Sequence, residues 1–402
     1  MHIRGWWTAI LALTSIAHAL PQPDALLDDA PDTHNATHLT KRDGPPQHNA
    51  EIYLGSISRP RKKRAKWGPP YTYDYDPSAG EGSLIYVIDS GFDIRHSEYK
   101  TLKHVPRWIM PKSWPRGWDD TLNDPTGHGT CVGSMIAGQK FGVAKNAELV
   151  IVKTAGAERI DKREYIDNYL EALEATADDI DAVLSNPGNG FNLGDIYINM
   201  SGSVKIGVFH RAWNSHDRDR LKSIMQRLNQ KAMIFACTGN VRGIDFYGEF
   251  LGTLLGYPQL WYKELPNMRL VGMATQNGYR SKKTLNAPEG HLWAIAEDVL
   301  CANNKPSEPE IKKTGSSMAS PQAVGLAAQL ARLPNKPKGF PDPKSDFRGF
   351  VEQMEIQLYR DSWIRPESKG KTEGGHVMAV RLISNQFLNH CDDSDGCGCV
   401  IM

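Results

Sequence analysis

An α/β fold, built on a doubly wound and mostly parallel sheet with helices on both faces, follows from three features of the chain. Apolar runs of strand length recur from Leu84 onward. Helix-length segments with apolar residues at three- and four-residue spacing separate them. The first run stops at a carboxylate, Asp89, followed by Ser90-Gly91. A strand that is apolar at every position is buried on both faces, which is how a parallel sheet between two helical layers reads. Ligands bind such sheets beyond the carboxyl ends of the strands, so Asp89 stands where a site is expected.

In order, the strands are Leu84–Ile88, Leu149–Val152, Ile196–Met200, Met233–Ala236 and Leu270–Met273. A helix is predicted over Arg163–Ala177, from Tyr165, Ile166, Tyr169, Leu170 and Leu173. A second over His216–Gln230 follows from Leu221, Ile224, Met225 and Leu228. One helix starts near His128, ahead of Val132, Met135, Ile136 and Ala137. Another follows Ser317 through Val324, Leu326, Ala327 and Leu330, with Pro321 tolerable in its first turn. Beyond Leu333, Pro334, Pro337, Pro341 and Pro343 break the pattern before one more helix, Phe347–Tyr359.

The 402 residues accommodate one large α/β domain with extensions, and 40% hydrophobic residues suffice for its core. A net charge of +1 gives no reason to expect nucleic acid or an anionic surface as partner. Cys131, Cys237 and Cys301 are isolated, and only Cys391, Cys397 and Cys399 cluster, so no metal-ligating set is apparent.

At the N-terminus, His2 and Arg4 precede the apolar run Trp6–Ile16 and then Ala17-His18-Ala19. A charged start, an apolar stretch too short to span a bilayer and a small-x-small site read as a signal peptide over residues 1–19. Residues 20–64 are rich in Pro, Asp, Asn and His, and carry two basic clusters, Lys41-Arg42 and Arg61-Lys62-Lys63-Arg64. They read as a pro-region or linker with sites for kexin-type processing. The catalytic domain is then placed at 65–333 and a C-terminal extension at 334–402. No run is apolar and long enough for a transmembrane helix.

Three segments carry chemistry: Ile88-Asp89-Ser90-Gly91, Gly127-His128-Gly129-Thr130 and Gly315-Ser316-Ser317-Met318-Ala319-Ser320-Pro321. A Ser hydroxyl becomes a nucleophile when an imidazole takes its proton, and the imidazole needs a carboxylate to fix its tautomer. Each segment supplies one part, flanked by glycines and small residues. In this order they resemble the subtilisin-like serine proteases, the subtilases, over roughly Gly82–Leu333. The resemblance implies Asp89, His128 and Ser317 as the triad and Asn240, in Thr238-Gly239-Asn240, as side-chain donor of the oxyanion hole. It also implies that Ser201, Gly202, Ser203 and Gly239 line the substrate site, with Ile198–Ser201 pairing with the substrate backbone.

Several positions depart from the family pattern. Ser316 stands where Thr is commoner, and Gly202-Ser203 where a larger residue and Gly are usual. Trp293-Ala294-Ile295-Ala296 replaces an Ala-Pro-Gly and is expected to alter a loop. Cys131, just after the His segment, is expected to be a small buried thiol. Asn199-Met200-Ser201 is a formal glycosylation sequon in an apolar strand, whereas Asn35-Ala36-Thr37 lies in a polar stretch.

The end, Cys399-Val400-Ile401-Met402, fits a prenylation pattern, but a translocated chain does not meet cytosolic prenyl transferases. A disulfide-containing or free-thiol tail is the alternative. The expectation is therefore a secreted serine endopeptidase acting on protein or peptide substrates. It needs no cofactor, and the sequence does not specify calcium sites. Residence in the secretory pathway or vacuolar lumen is the alternative location. A narrow-specificity processor of peptide precursors and an inactive, binding-only relative are the alternative functions.

Overall fold

Each residue of the strand ending at Asp89 is buried, as its unbroken apolar sequence requires. That strand is an interior strand of the sheet in a computed structural model. The structure describes residues 46–58, 68–112, 114, 124–154, 162–205, 213–240, 256–285, 291–333, 336, 339–362, 380 and 382–384, all in one compact unit. The proposed signal peptide, both basic clusters, Asn35 and the C-terminal cysteines lie outside the described residues.

The chain runs β1 (Gln47–Ala50), α1 (Ile52–Ile57), β2 (Tyr71–Tyr73), β3 (Leu84–Asp89), β4 (Arg107–Ile109), α2 (His128–Ala137), β5 (Glu148–Lys153) and α3 (Lys162–Ser185). It continues through β6 (Ile196–Met200), β7 (Val204–Lys205), α4 (Ser215–Asn229), β8 (Met233–Cys237), β9 (Gly256–Tyr257), β10 (Met268–Ala274) and β11 (Leu292–Ile295). It closes with β12 (Val299–Lys305), β13 (Glu308–Lys313), α5 (Ser320–Arg332) and α6 (Phe347–Asp361).

The central sheet has the order β11-β10-β8-β6-β3-β5-β4, with every neighbouring pair parallel. The chain builds one side through β4 and β5, then crosses β3 and builds the other. Strand order therefore turns at β3, and its carboxyl end carries Asp89. One face is covered by α3 and α4, whose Leu170, Leu173 and Leu221 pack with Tyr86, Val150 and Ile198. The other carries α1, α2, α5 and α6 over Ile85, Val87, Ile151 and Phe235. Each such fully buried side chain contributes about 1.5–3 kcal/mol relative to exposure. Arg163 to Asp217 (2.6 Å), with Arg220 to Glu174, ties α3 to α4 at the rim.

The N-terminal boundary differs from the sequence reading. Residues ahead of 65 are not all linker: β1 pairs antiparallel with β2, and α1 buries Tyr53, Leu54 and Ile57 in the core. The reason is local: six residues flanked by polar and proline-rich sequence carry too little periodicity to announce a helix. At the other end, α6 buries Phe350, Val351, Met354 and Leu358 in that same core, and Arg269 of β10 is hydrogen-bonded to its Glu355. The segment Trp293–Ile295, expected in an altered loop, is instead part of the edge strand β11, in register with Gly272–Ala274.

Candidate active site

Asp89 ends β3 with its side chain almost wholly buried, and its Oδ1 lies 2.8 Å from His128 Nδ1. The same oxygen accepts the Ser90 backbone N–H at 2.8 Å, while Oδ2 is buried with no partner among the described residues. An Nδ1–H donated to a carboxylate leaves Nε2 as the lone-pair nitrogen of the ring. His128 is the first residue of α2, so the ring's position is fixed by how that helix begins.

The opening of α2 is built closely on β3. Gly129 has no room for a side chain: a Cβ there would lie 2.1 Å from Gly91 O and 3.1 Å from Asp89 Oδ1. The first free N–H groups of the helix, which have no intrahelical acceptor, are taken by the side chains of Ser90, Thr126 and Asp124. Nothing in the sequence singles out Asp124, because Asp before Pro reads as an ordinary turn.

Burial is the largest influence on the imidazole and lowers its pKa. The charge and hydrogen bond of Asp89, followed by the charge of Asp124, more than offset it, and Lys313 opposes them weakly. The net result is a pKa above the ordinary value of 6.5. The side chain keeps 35% of its surface exposed.

Cys131 corrects an expectation. It is not a free thiol but is disulfide-bonded to Cys301 of β12, with Cα atoms 5.0 Å apart. The bond anchors α2 three residues past His128. Cys237, at the end of β8, is buried.

Ser317 lies in a short 3-10 turn, Ser316–Met318, just ahead of α5. This turn packs against α2, which brings the Ser segment to the His segment. The oxygen Asn240 Oδ1 accepts hydrogen bonds from Ser316 N at 2.8 Å and Ser316 Oγ at 3.1 Å. With its oxygen committed, the amide turns Nδ2 the other way. A Cβ at Gly315 would lie 3.1 Å from both Asn240 Nδ2 and Ser317 Oγ. Gly315 therefore leaves open the position between a donor and a hydroxyl that a side chain would fill. Ser316, noted only as a departure in sequence, thus orients Asn240.

The residues expected to line the substrate site divide. The Ser201 hydroxyl points inward, accepting from Asn199 Nδ2 and donating to Ser317 O, each at 3.0 Å. Its side chain holds the Ser317 turn, not a substrate. Asn199 is fully buried, and its Oδ1 accepts from Ser320 Oγ at 2.7 Å, which leaves no room for a glycan. Gly202 is exposed, Ser203 is half-buried, and Gly239 has the left-handed φ of +96° that favours glycine. Gln259, which sequence reading missed, is buried and donates from Nε2 to Gly202 O (3.0 Å) and Cys237 O (3.2 Å). It joins the segment after β6 to the end of β8.

Known proteins share the family pattern and the fold. The profile of the Subtilase family matches residues 80–344. Subtilisin-like protease 1 of Arthroderma gypseum is 25% identical over 269 residues, covering 65% of this chain and 46% of that protein. Subtilisin-like protease 6 of Trichophyton tonsurans is 26% identical over 303 residues, covering 74% and 61%. The chain thus spans about half the length of the curated relatives it matches. A solved cold-adapted subtilisin-like serine proteinase superposes with a TM-score of 0.55 at 19% identity, over 84% of this chain and 98% of that one. With the family profile spanning the segments of Asp89, His128, Asn240 and Ser317 together, the chain belongs to the subtilase family.

Proposed function

We propose that this subtilase is a secreted serine endopeptidase. Ser317 Oγ attacks the scissile carbonyl carbon and forms a C–O bond, while the C=O π electrons move onto the oxygen. His128 Nε2 takes the hydroxyl proton and passes it to the leaving amine as the C–N bond breaks. Water then repeats the sequence on the acyl-enzyme. Asp89 holds the ring and stabilises its cation. Asn240 Nδ2 and the Ser317 N–H stabilise the oxyanion, a contribution worth about 10²–10³ in turnover for one donor. Gly202, Ser203 and Gly239, with the backbone of Ser201, line the peptide site.

The observation that carries this reading is the 2.8 Å contact of Asp89 Oδ1 with His128 Nδ1 on a helix packed against the Ser317 turn. Fluorophosphonate labelling of the mature protein tests it. Ser317 should be the labelled residue and S317A should not label; an unlabelled mature protein would favour a binding-only relative. A narrow-specificity processor of peptide precursors is a second reading, which substrate profiling separates from a broad endopeptidase. Secretion rests on the signal-like N-terminus and is tested by intact mass of protein recovered from culture medium.

A further inference from the structure

Asp124 is a second buried carboxylate beside the imidazole, 2% exposed and outside the triad. Its Oδ1 accepts from Ser90 Oγ (2.7 Å), Gly127 N (3.0 Å) and Thr126 N (3.2 Å), and its Oδ2 from Thr130 N (2.7 Å). Ser90 Oγ in turn accepts from Thr126 Oγ1 (2.8 Å) and from Gly129 N (3.0 Å), while Thr126 Oγ1 accepts from His128 N (3.1 Å). The N–H groups of residues 127 to 130, which a helix start leaves without partners, are all satisfied by one network centred on Asp124. Ser90 is the neighbour of Asp89, and its Oγ lies 3.2 Å from Asp89 Oδ1. The network thus spans both triad partners. Asn304 of β12 adds a further tie, donating to Asp124 O at 2.6 Å.

We infer that Asp124 is a positioning residue for His128. It fixes the helix start that aims the ring, and its negative charge, held in a buried site by donors and not neutralised by them, stabilises the imidazolium formed during acylation. A carboxylate and its amide differ here in a useful way. The amide introduced by D124N could keep one acceptor, but its NH₂ group would face the Thr130 N–H, and the charge would be gone. The charged groups bearing on the ring are Asp89 of β3, Asp124 ahead of α2 and Lys313 of β13. Losing Asp124 leaves one favourable charge against the opposing lysine.

This inference rests on the serine-protease reading, and the two can fail separately. The experiment is the pH dependence of fluorophosphonate labelling for native protein, D124N and S90A. A native protein that does not label defeats the protease reading. With native labelling in hand, D124N should lower the plateau rate by about 10–100-fold, as a small misplacement of the catalytic group does. Its acidic limb should also shift down by about 0.5–1 pH unit through loss of the charge. S90A breaks the link yet keeps the charge, so its rate should fall with the midpoint in place. An unshifted limb in D124N overturns the inference, because a merely structural residue lowers the rate without moving the midpoint. Should D124N not fold, S90A decides: a native labelling rate in S90A overturns the inference.

Discussion

Cys131, three residues beyond His128, is bonded to Cys301, 170 positions later on β12. The bond fastens the helix that carries the imidazole to the antiparallel hairpin, β12 with β13, that leads into the Ser317 turn. Closing so long a loop removes unfolded-state freedom worth about 5 kcal/mol in the chain-entropy model. Reduction under native conditions should therefore lower the unfolding midpoint sharply. Alkylation before and after reduction, read by mass, should add label at Cys131 and Cys301 together. Alkylation of Cys131 in unreduced protein would contradict the pairing.

Activity and stability should respond to pH in opposite directions at His128. Its folded pKa lies above the ordinary 6.5, so protonation favours the folded state. The stabilisation is complete below the unfolded value and is lost as pH rises through the folded one. Catalysis needs the neutral ring, so kcat/KM should rise over that same interval, with a midpoint above 6.5. Urea midpoints of native protein and H128Q, compared at about pH 5 and about pH 9, should differ more at the lower pH. An equal difference at both would remove the ion-pair explanation.

G315A should retain the fold and lose turnover. The new methyl would lie 3.1 Å from Asn240 Nδ2 and from Ser317 Oγ, in the space a carbonyl oxygen must enter. A fall of about 10²-fold or more in kcat is expected, as for loss of an oxyanion donor. An unchanged circular dichroism spectrum would show that the loss is local. Full activity in this variant would mean that the reacting group binds elsewhere.

Q259A should act through substrate binding. The carbonyls Gly202 O and Cys237 O would both lose the Gln259 donor that ties them together. Loosening that side of the site should raise KM more than it lowers kcat and should widen the range of peptides cut. Profiling of native and variant protein on one peptide library reads this directly. A variant with native KM and native selectivity would confine Gln259 to the scaffold.

Local chemistry explains which features were legible in advance. Asp89, His128, Asn240 and Ser317 stand beside glycines and small residues whose need is met within a few positions, so short segments reveal them. The sheet was legible because β3, β6, β8 and β10 are buried at each residue and read as largely apolar runs. Asp124 and Gln259 were not, since their partners come from distant segments and each alone resembles an ordinary polar residue. The same holds for Cys131, whose partner is set by the placement of β12 and not by any spacing. Position alone places Ser201 at the substrate, whereas its hydroxyl donates inward to the Ser317 carbonyl, a pairing set by a segment 116 residues away.

Removal of residues 1–58 should destabilise the protein, because Tyr53, Leu54 and Ile57 would leave the core. Each accounts for about 1.5–3 kcal/mol. The mature chain is therefore expected to begin upstream of Gln47, as a cut after Arg42 would leave it. N-terminal sequencing of the purified protein checks this. A sole mature start after Arg64, with native stability, would contradict it.

The place of α1 gives the second basic cluster a different meaning from the first. A cut after Arg64 would separate β1 and α1 from the rest while leaving their contacts with β2 and the core intact. What had been a tethered segment, held at high effective concentration by its own chain, would become a peptide bound by a dissociation constant. A molecule cut only after Arg42 would be indifferent to dilution. One cut at both clusters would shed its first helix as it is diluted, and its lifetime would be set by its own concentration.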